Sequence, residues 1–144
     1  MRRLSLLLLL TLATLSQTVS AAGRLQIDGA WIRTAPPGAM MLAGYATLRN
    51  AGDAPLTVVA ASSDAFGEVS LHESVEVDGV ARMKALDAVE IAPGASVVLA
   101  PGGKHLMLMR PKHEIKPGES VKINIAVKSG DGASADFVVR DAVP

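Results

Sequence analysis

Residues 68–86 read EVSLHESVEVDGVARMKAL, and the Asp78-Gly79 pair inside them decides how the rest of the chain is read. Asp-Gly between two Val-containing runs is a two-residue hairpin signal. Both central residues of such a turn need positive φ, which Gly adopts without steric cost. Two strands follow, over Glu68–Val77 and Val80–Leu86. A two-residue loop sets Ser74 opposite Met83, with His72 diagonal to Met83; a four-residue loop would set His72 directly opposite. Either register keeps His72 and Met83 on one face, because residues two apart on a strand share a side.

Outward from this hairpin the pattern repeats. Short apolar or alternating runs predict strands over Leu25–Arg33, Met41–Asn50, Leu56–Ala61, Ser96–Ala100, Lys104–Arg110, Ser120–Lys128 and Ala135–Arg140. Between them stand turn-forming groups such as Pro36-Pro37-Gly38, Asn50-Ala51-Gly52, Pro93-Gly94, Pro101-Gly102-Gly103 and Pro117-Gly118. No long segment carries a helical period. Many short strands at this spacing predict an all-β sandwich or barrel, in one domain.

The beginning of the chain has a different character. Arg2-Arg3, the apolar run Leu4–Leu15 and the small residues Ala21-Ala22 follow the order of a secretory signal peptide. The run falls short of the roughly 18 residues that an ordinary spanning helix needs. Residues 1–22 are therefore read as a leader cut after Ala21 or Ala22, and residues 23–144 as the exported domain. No stable membrane insertion is expected, and no lipid link, because no Cys stands near the cut. Without Arg2 and Arg3 the formal balance is 12 Lys+Arg against 14 Asp+Glu. Nucleic acid is excluded as a partner on that balance, since phosphate binding needs a clustered basic surface. The chain has no Cys at all, which removes disulfides, thiol redox chemistry and thiolate ligands. Neither HExxH nor G-x-S-x-G occurs, so the chain is not read as an enzyme.

The remaining chemistry lies in His and Met. His105 and Met107, two apart on a predicted strand, project to one side as His72 and Met83 do. Thioether sulfur is a soft donor that selects Cu(I) over Mg(II) or Ca(II), and neutral imidazole suits copper. Zinc sites are usually built from Cys, His and carboxylate, and a blue-copper centre needs a Cys. Each residue taken alone also has an ordinary reading, because a strand Met is usually core filler. Spacing does not show that the two pairs meet.

Written in full, the pattern is His72, ten residues, Met83, twenty-one residues, His105, one residue, Met107. It resembles the metal-binding motif of the periplasmic copper chaperone family PCu(A)C. Leu71-His72-Glu73, Arg82-Met83 and Gly102-Gly103-Lys104-His105-Leu106-Met107-Leu108-Met109 are similar to that family's ligand segments. Ala30-Trp31-Ile32-Arg33, Pro36-Pro37-Gly38 and Tyr45-Ala46-Thr47-Leu48-Arg49-Asn50 are similar to its first two strands.

The resemblance implies a cupredoxin-like Greek-key β-sandwich working in the periplasm. It would hold one Cu(I) per chain on the nitrogens of His72 and His105 and the sulfurs of Met83 and Met107. It implies delivery of copper to a cytochrome oxidase copper centre or a thiol-containing assembly factor. Copper storage, or a metal-free interaction module, is the alternative. A monomer is expected. Ser74 and Ala81 stand where relatives often carry further methionines, and the His/Met-rich tail of some relatives is not expected after Asp141. Met109 shares the face of His105 and Met107 and is therefore a candidate substitute ligand, with packing its ordinary role; Met40 and Met41 either shield the metal or pack. His113 is read as a solvated loop residue. Lys104, Arg110, Lys112 and Lys116 are read as a local basic cluster, an ordinary solvated face or a dock for an acidic acceptor.

Overall fold

The computed structural model describes residues 22–141, so the leader reading rests on residues 1–21, outside the described part. Ten strands follow in order: β1 Leu25–Arg33, β2 Met41–Asn50, β3 Leu56–Ser62, β4 Phe66–Val77, β5 Val80–Ala85, β6 Val89–Ile91, β7 Ser96–Leu99, β8 Lys104–Pro111, β9 Ser120–Val127 and β10 Ala133–Arg140. The described residues form no helix. Nine of the strands match the expected runs to within two residues at each end. The tenth, β6, was not expected. Its three residues are too few to show an alternation, yet Val89 and Ile91 are buried and pair with Val58 and Leu56 of β3.

The strand order is β5-β4-β8-β2-β1-β10-β9-β3-β6, with β7 also on β2. The pairing of Ala61 on β3 with Val69 on β4 closes the path, so the expected cupredoxin-like Greek-key architecture closes into a barrel. β1 and β10 run parallel and the other pairs antiparallel. Closure removes most sheet edges, but β5 hangs from β4 alone with every residue exposed.

Alternation fills the interior. Val121, Ile123 and Ile125 of β9, Phe137 and Val139 of β10, and Leu106 and Leu108 of β8 all point inward. Two irregularities reset the phase. In β1 the register slips between Asp28 and Trp31, where Gly29 has φ 60°. Leu25 and Ile27 lean inward before this bulge and Ile32 after it, which leaves Arg33 facing out. β3 slips likewise between Val58 and Ala60. An extra residue shifts a period-two pattern to the other face.

Among the described residues Asn50 is the one fully buried polar side chain of the core, and all its capacity is used. Its amide donates to the carbonyls of Ala54 and Ile91 at 2.7 and 3.1 Å, and its oxygen accepts from the backbone N–H of Gly52 and Arg24 at 3.0 and 3.3 Å. The Asn50-Ala51-Gly52 turn thereby ties β1, β2 and β6 together. Gly52 is required there, since a Cβ would lie 2.1 Å from the Ala22 carbonyl oxygen.

Candidate metal centre

The hairpin turns on Asp78 and Gly79, with φ of 53° and 75°, the two left-handed residues of a two-residue turn. Ser74 pairs with Met83, so His72 and Met83 are diagonal neighbours on one face. On its other side β4 pairs with β8, and here His72 stands directly opposite His105 and Ser70 opposite Met107. The structure thus answers what spacing left open: the two His/Met pairs share one face of β5, β4 and β8. It is the outward face of β8, because Leu106 and Leu108 between the candidate ligands are fully buried.

The two imidazoles are held differently. Their ring centroids are 6.1 Å apart with a 31° tilt. His105 is buried, and its Nδ1 donates to the Gly103 carbonyl at 3.1 Å. In the neutral ring the proton is therefore on Nδ1, and Nε2 keeps a lone pair. A backbone carbonyl that fixes a tautomer in this way is a recurring feature of metal-binding histidines. The same carbonyl accepts the Ser74 backbone N–H at 3.1 Å, which fixes the glycine turn against β4. His72 Nε2 hydrogen-bonds the Ser70 hydroxyl at 3.0 Å, while its buried Nδ1 has no partner among the described residues. An orphaned buried nitrogen is costly unless something fills it. Burial, then the nearness of His105, lower the His72 pKa, with Glu68 opposing them. The lowered value favours the neutral, ligating form.

Beside these residues a cleft of about 270 Å³ opens between β8, β2, β5 and the segment after β1. Met83, His105 and Met107 line it, with Arg33, Ala43 and Met41; His72 does not. Met83 is 64 % exposed, more than a core role would require. Among the described residues no group of three or more His, Cys, Asp or Glu side chains converges. The donors gathered on this face are two imidazoles and several thioethers, all uncharged in their ligating form, and of the imidazoles only His105 lines the cleft. That set fits a soft monovalent ion and not a hard divalent one.

Other expected residues sit elsewhere. Met109 shares the outward face but lies opposite Met41 and Glu68, beyond Met107, and does not line the cleft. His113 bonds Glu119 at 2.8 Å on the surface. The basic residues do not form one cluster. Lys104 meets Glu73 at 2.7 Å and Arg110 meets Glu68 at 2.9 Å, at opposite ends of β8, roughly 20 Å apart along the strand. The Lys104 hydrogen bond and charge also keep the Glu73 carboxyl below its ordinary pKa. Ser70 and the Gly103 carbonyl were missed in the sequence reading. The parity of Ser70 with His72 was the only signal available for it.

Comparison with known proteins gives a consistent picture. A family model described as "Putative lipoprotein LpqE-like" matches residues 25–139. The protein named "Putative lipoprotein Lxx21020" from Leifsonia xyli subsp. xyli (strain CTCB07) is 34 % identical over 119 residues, 82 % of this chain and 69 % of that one. An uncharacterized protein, RP573, from Rickettsia prowazekii (strain Madrid E) is 32 % identical over 80 residues, 55 % of this chain and 44 % of that one. Among solved structures, the copper-bound PCuAC domain from PmoF2 has a TM-score of 0.67 at 21 % identity, with 85 % of this chain and 97 % of that one covered. The solution structure of CuI-DR1885 from Deinococcus radiodurans has a TM-score of 0.67 at 29 % identity, with 86 % and 83 % covered.

Proposed function

From the chain's membership of the LpqE-like family, which is the PCu(A)C family, together with its outward His/Met face, we propose a copper chaperone that carries one Cu(I) on His72, Met83, His105 and Met107. The observation that carries the reading is the direct pairing of His72 with His105 across β4 and β8, with Met83 and Met107 flanking them on the same face. His105 offers Nε2, already freed by the Gly103 carbonyl, and His72 offers the imidazole whose Nδ1 is unpartnered. Met107 supplies sulfur from beside His105, and Met83 from the exposed hairpin strand. The donors bring no charge, so the ion keeps its single positive charge and is held without a carboxylate or thiolate.

A site of this kind suits transfer. Thioethers cannot close into a disulfide, so they survive in an oxidising compartment where a thiol carrier would be at risk. The leader-like residues 1–22 and the lipoprotein names of the family and of its Leifsonia member support export, and we place the protein in the periplasm. The acceptor we propose is a reduced Cys-containing site, the copper centre of a cytochrome oxidase or an assembly factor serving it. The test is to mix Cu(I)-loaded protein with such an apo domain and to follow copper in each after separation. Copper should move to the thiolate acceptor and little should return. Retention against an excess of reduced acceptor would make this a storage protein.

A further inference from the structure

Four donors line the cleft beside the proposed ligand face, and they are not the four of the spacing motif. Met83, His105 and Met107 are there, but the fourth is Met41, while His72 is engaged with Ser70. Met41 opens β2, and β2 lies next to β8 in register: Ala43 pairs with Met107 and Met41 with Met109. Met41 is therefore the diagonal neighbour of Met107 on the same outward face, in the same relation as Met83 to His72 across β5 and β4. Diagonal neighbours on adjacent strands lie within reach of long side chains. Its side chain is 56 % exposed, so the core does not need it. Exposed methionines on both walls of one cleft, Met41 from β2 and Met83 from β5, give thioether sulfur two independent approaches to His105 and Met107.

We infer that Met41 is a further, exchangeable thioether donor of this centre, holding the ion with Met83, His105 and Met107 while His72 remains on Ser70. The inference rests on the copper reading above. The exchange it describes is redox-neutral: one Cu–sulfur bond to Met41 breaks as one Cu–nitrogen bond to His72 forms. Copper stays monovalent and both donors are neutral, so no net charge is moved. The other methionines are set apart by position. Met40 precedes the strand, where its carbonyl accepts the Arg110 N–H at 2.9 Å, and it does not line the cleft; nor does Met109, which is half-buried.

The experiment uses the intact exported domain with methyl-labelled methionine, titrated with Cu(I) under reducing conditions. Methyl signals are assigned from single Met→Leu variants, which keep most of the apolar volume. The Met41 methyl should shift together with those of Met83 and Met107, while those of Met40 and Met109 stay in place. Competitor titration gives the second readout. Met41→Leu alone should weaken Cu(I) by less than about threefold, because His72 completes the set. In the His72→Ala background the same change should weaken it by about tenfold or more, since a full donor contact is then lost. Shifts confined to Met83 and Met107, or equal effects of Met41→Leu in both backgrounds, would overturn the role of Met41 and leave the four-ligand reading standing. If no methionine methyl responds, the copper reading itself falls.

Discussion

Strand β8 shows two faces of one sequence. Leu106 and Leu108 are fully buried in the barrel interior, while His105, Met107 and Met109 alternate with them on the outside. The inner residues belong to a core of Leu, Ile, Val and Phe that has no use for their neighbours' polarity. The outer residues meet β4 and β2, where the partners of His105 and Met107 are His72, Ser70 and Ala43. Stability and the proposed binding are thus separated by parity alone, one residue apart. A soft-metal site can be assembled on such a surface without a polar group entering the core.

Substitutions on the inner face should break that separation from the stability side. Leu106→Ala removes a fully buried side chain, and its expected cost is about 2–5 kcal/mol, depending on how far the cavity collapses. Urea unfolding measures it. Any Leu106→Ala protein that remains folded should still bind Cu(I), because the donor atoms lie on the opposite side.

The outer face should instead show itself through pH. The folded pKa of His72 lies below its unfolded value of about 6.5, first because of burial and then because of His105. Between those values the unfolded chain binds the extra proton. The contribution to stability is therefore present above about pH 6.5 and is lost as pH falls through the folded pKa. Thermal melts of the apo protein should fall in this window, and His72→Gln should flatten the fall. Copper works in the same direction, since only neutral imidazole coordinates, so Cu(I) should hold the melting temperature up to a lower pH than in the apo protein. An identical pH dependence in the apo and loaded forms would contradict the imidazole assignment.

The smallest effect should come from the third histidine. His113 and Glu119 form an exposed pair, for which about 0.5 kcal/mol or less is expected. His113→Ala should leave both Cu(I) affinity and the unfolding midpoint close to those of the parent, a control for histidine loss away from the face.

Most of the architecture was legible because period-two alternation and turn residues are local signals. Of the two registers open to the Asp78-Gly79 hairpin, the structure takes the two-residue one, which places Ser74 against Met83. β6 escaped because three residues cannot display a period, and its identity as a strand comes from burial against Leu56 and Val58. The bulge at Gly29 escaped because its effect, which lets Ile32 point inward, is visible only once the neighbouring strand is in place. At the centre, each His/Met pair followed from parity. Their meeting depends on β8 lying between β4 and β2, a long-range pairing that no spacing within either strand encodes. The apparent basic cluster failed for the converse reason: nearness in sequence along β8 became distance in space, with each end matched to its own carboxylate.

The central claim is that the outward face of β4, β5 and β8 holds the ion, and one titration tests it most directly. The Met83→Leu, His105→Ala double variant leaves Leu106, Leu108 and the rest of the interior untouched, so its circular dichroism should match the parent. Titrated with Cu(I) against a chromophoric competitor, the parent should take up one equivalent and the folded double variant should take up none that the competitor cannot remove. One equivalent bound as tightly by the folded double variant as by the parent would contradict the account.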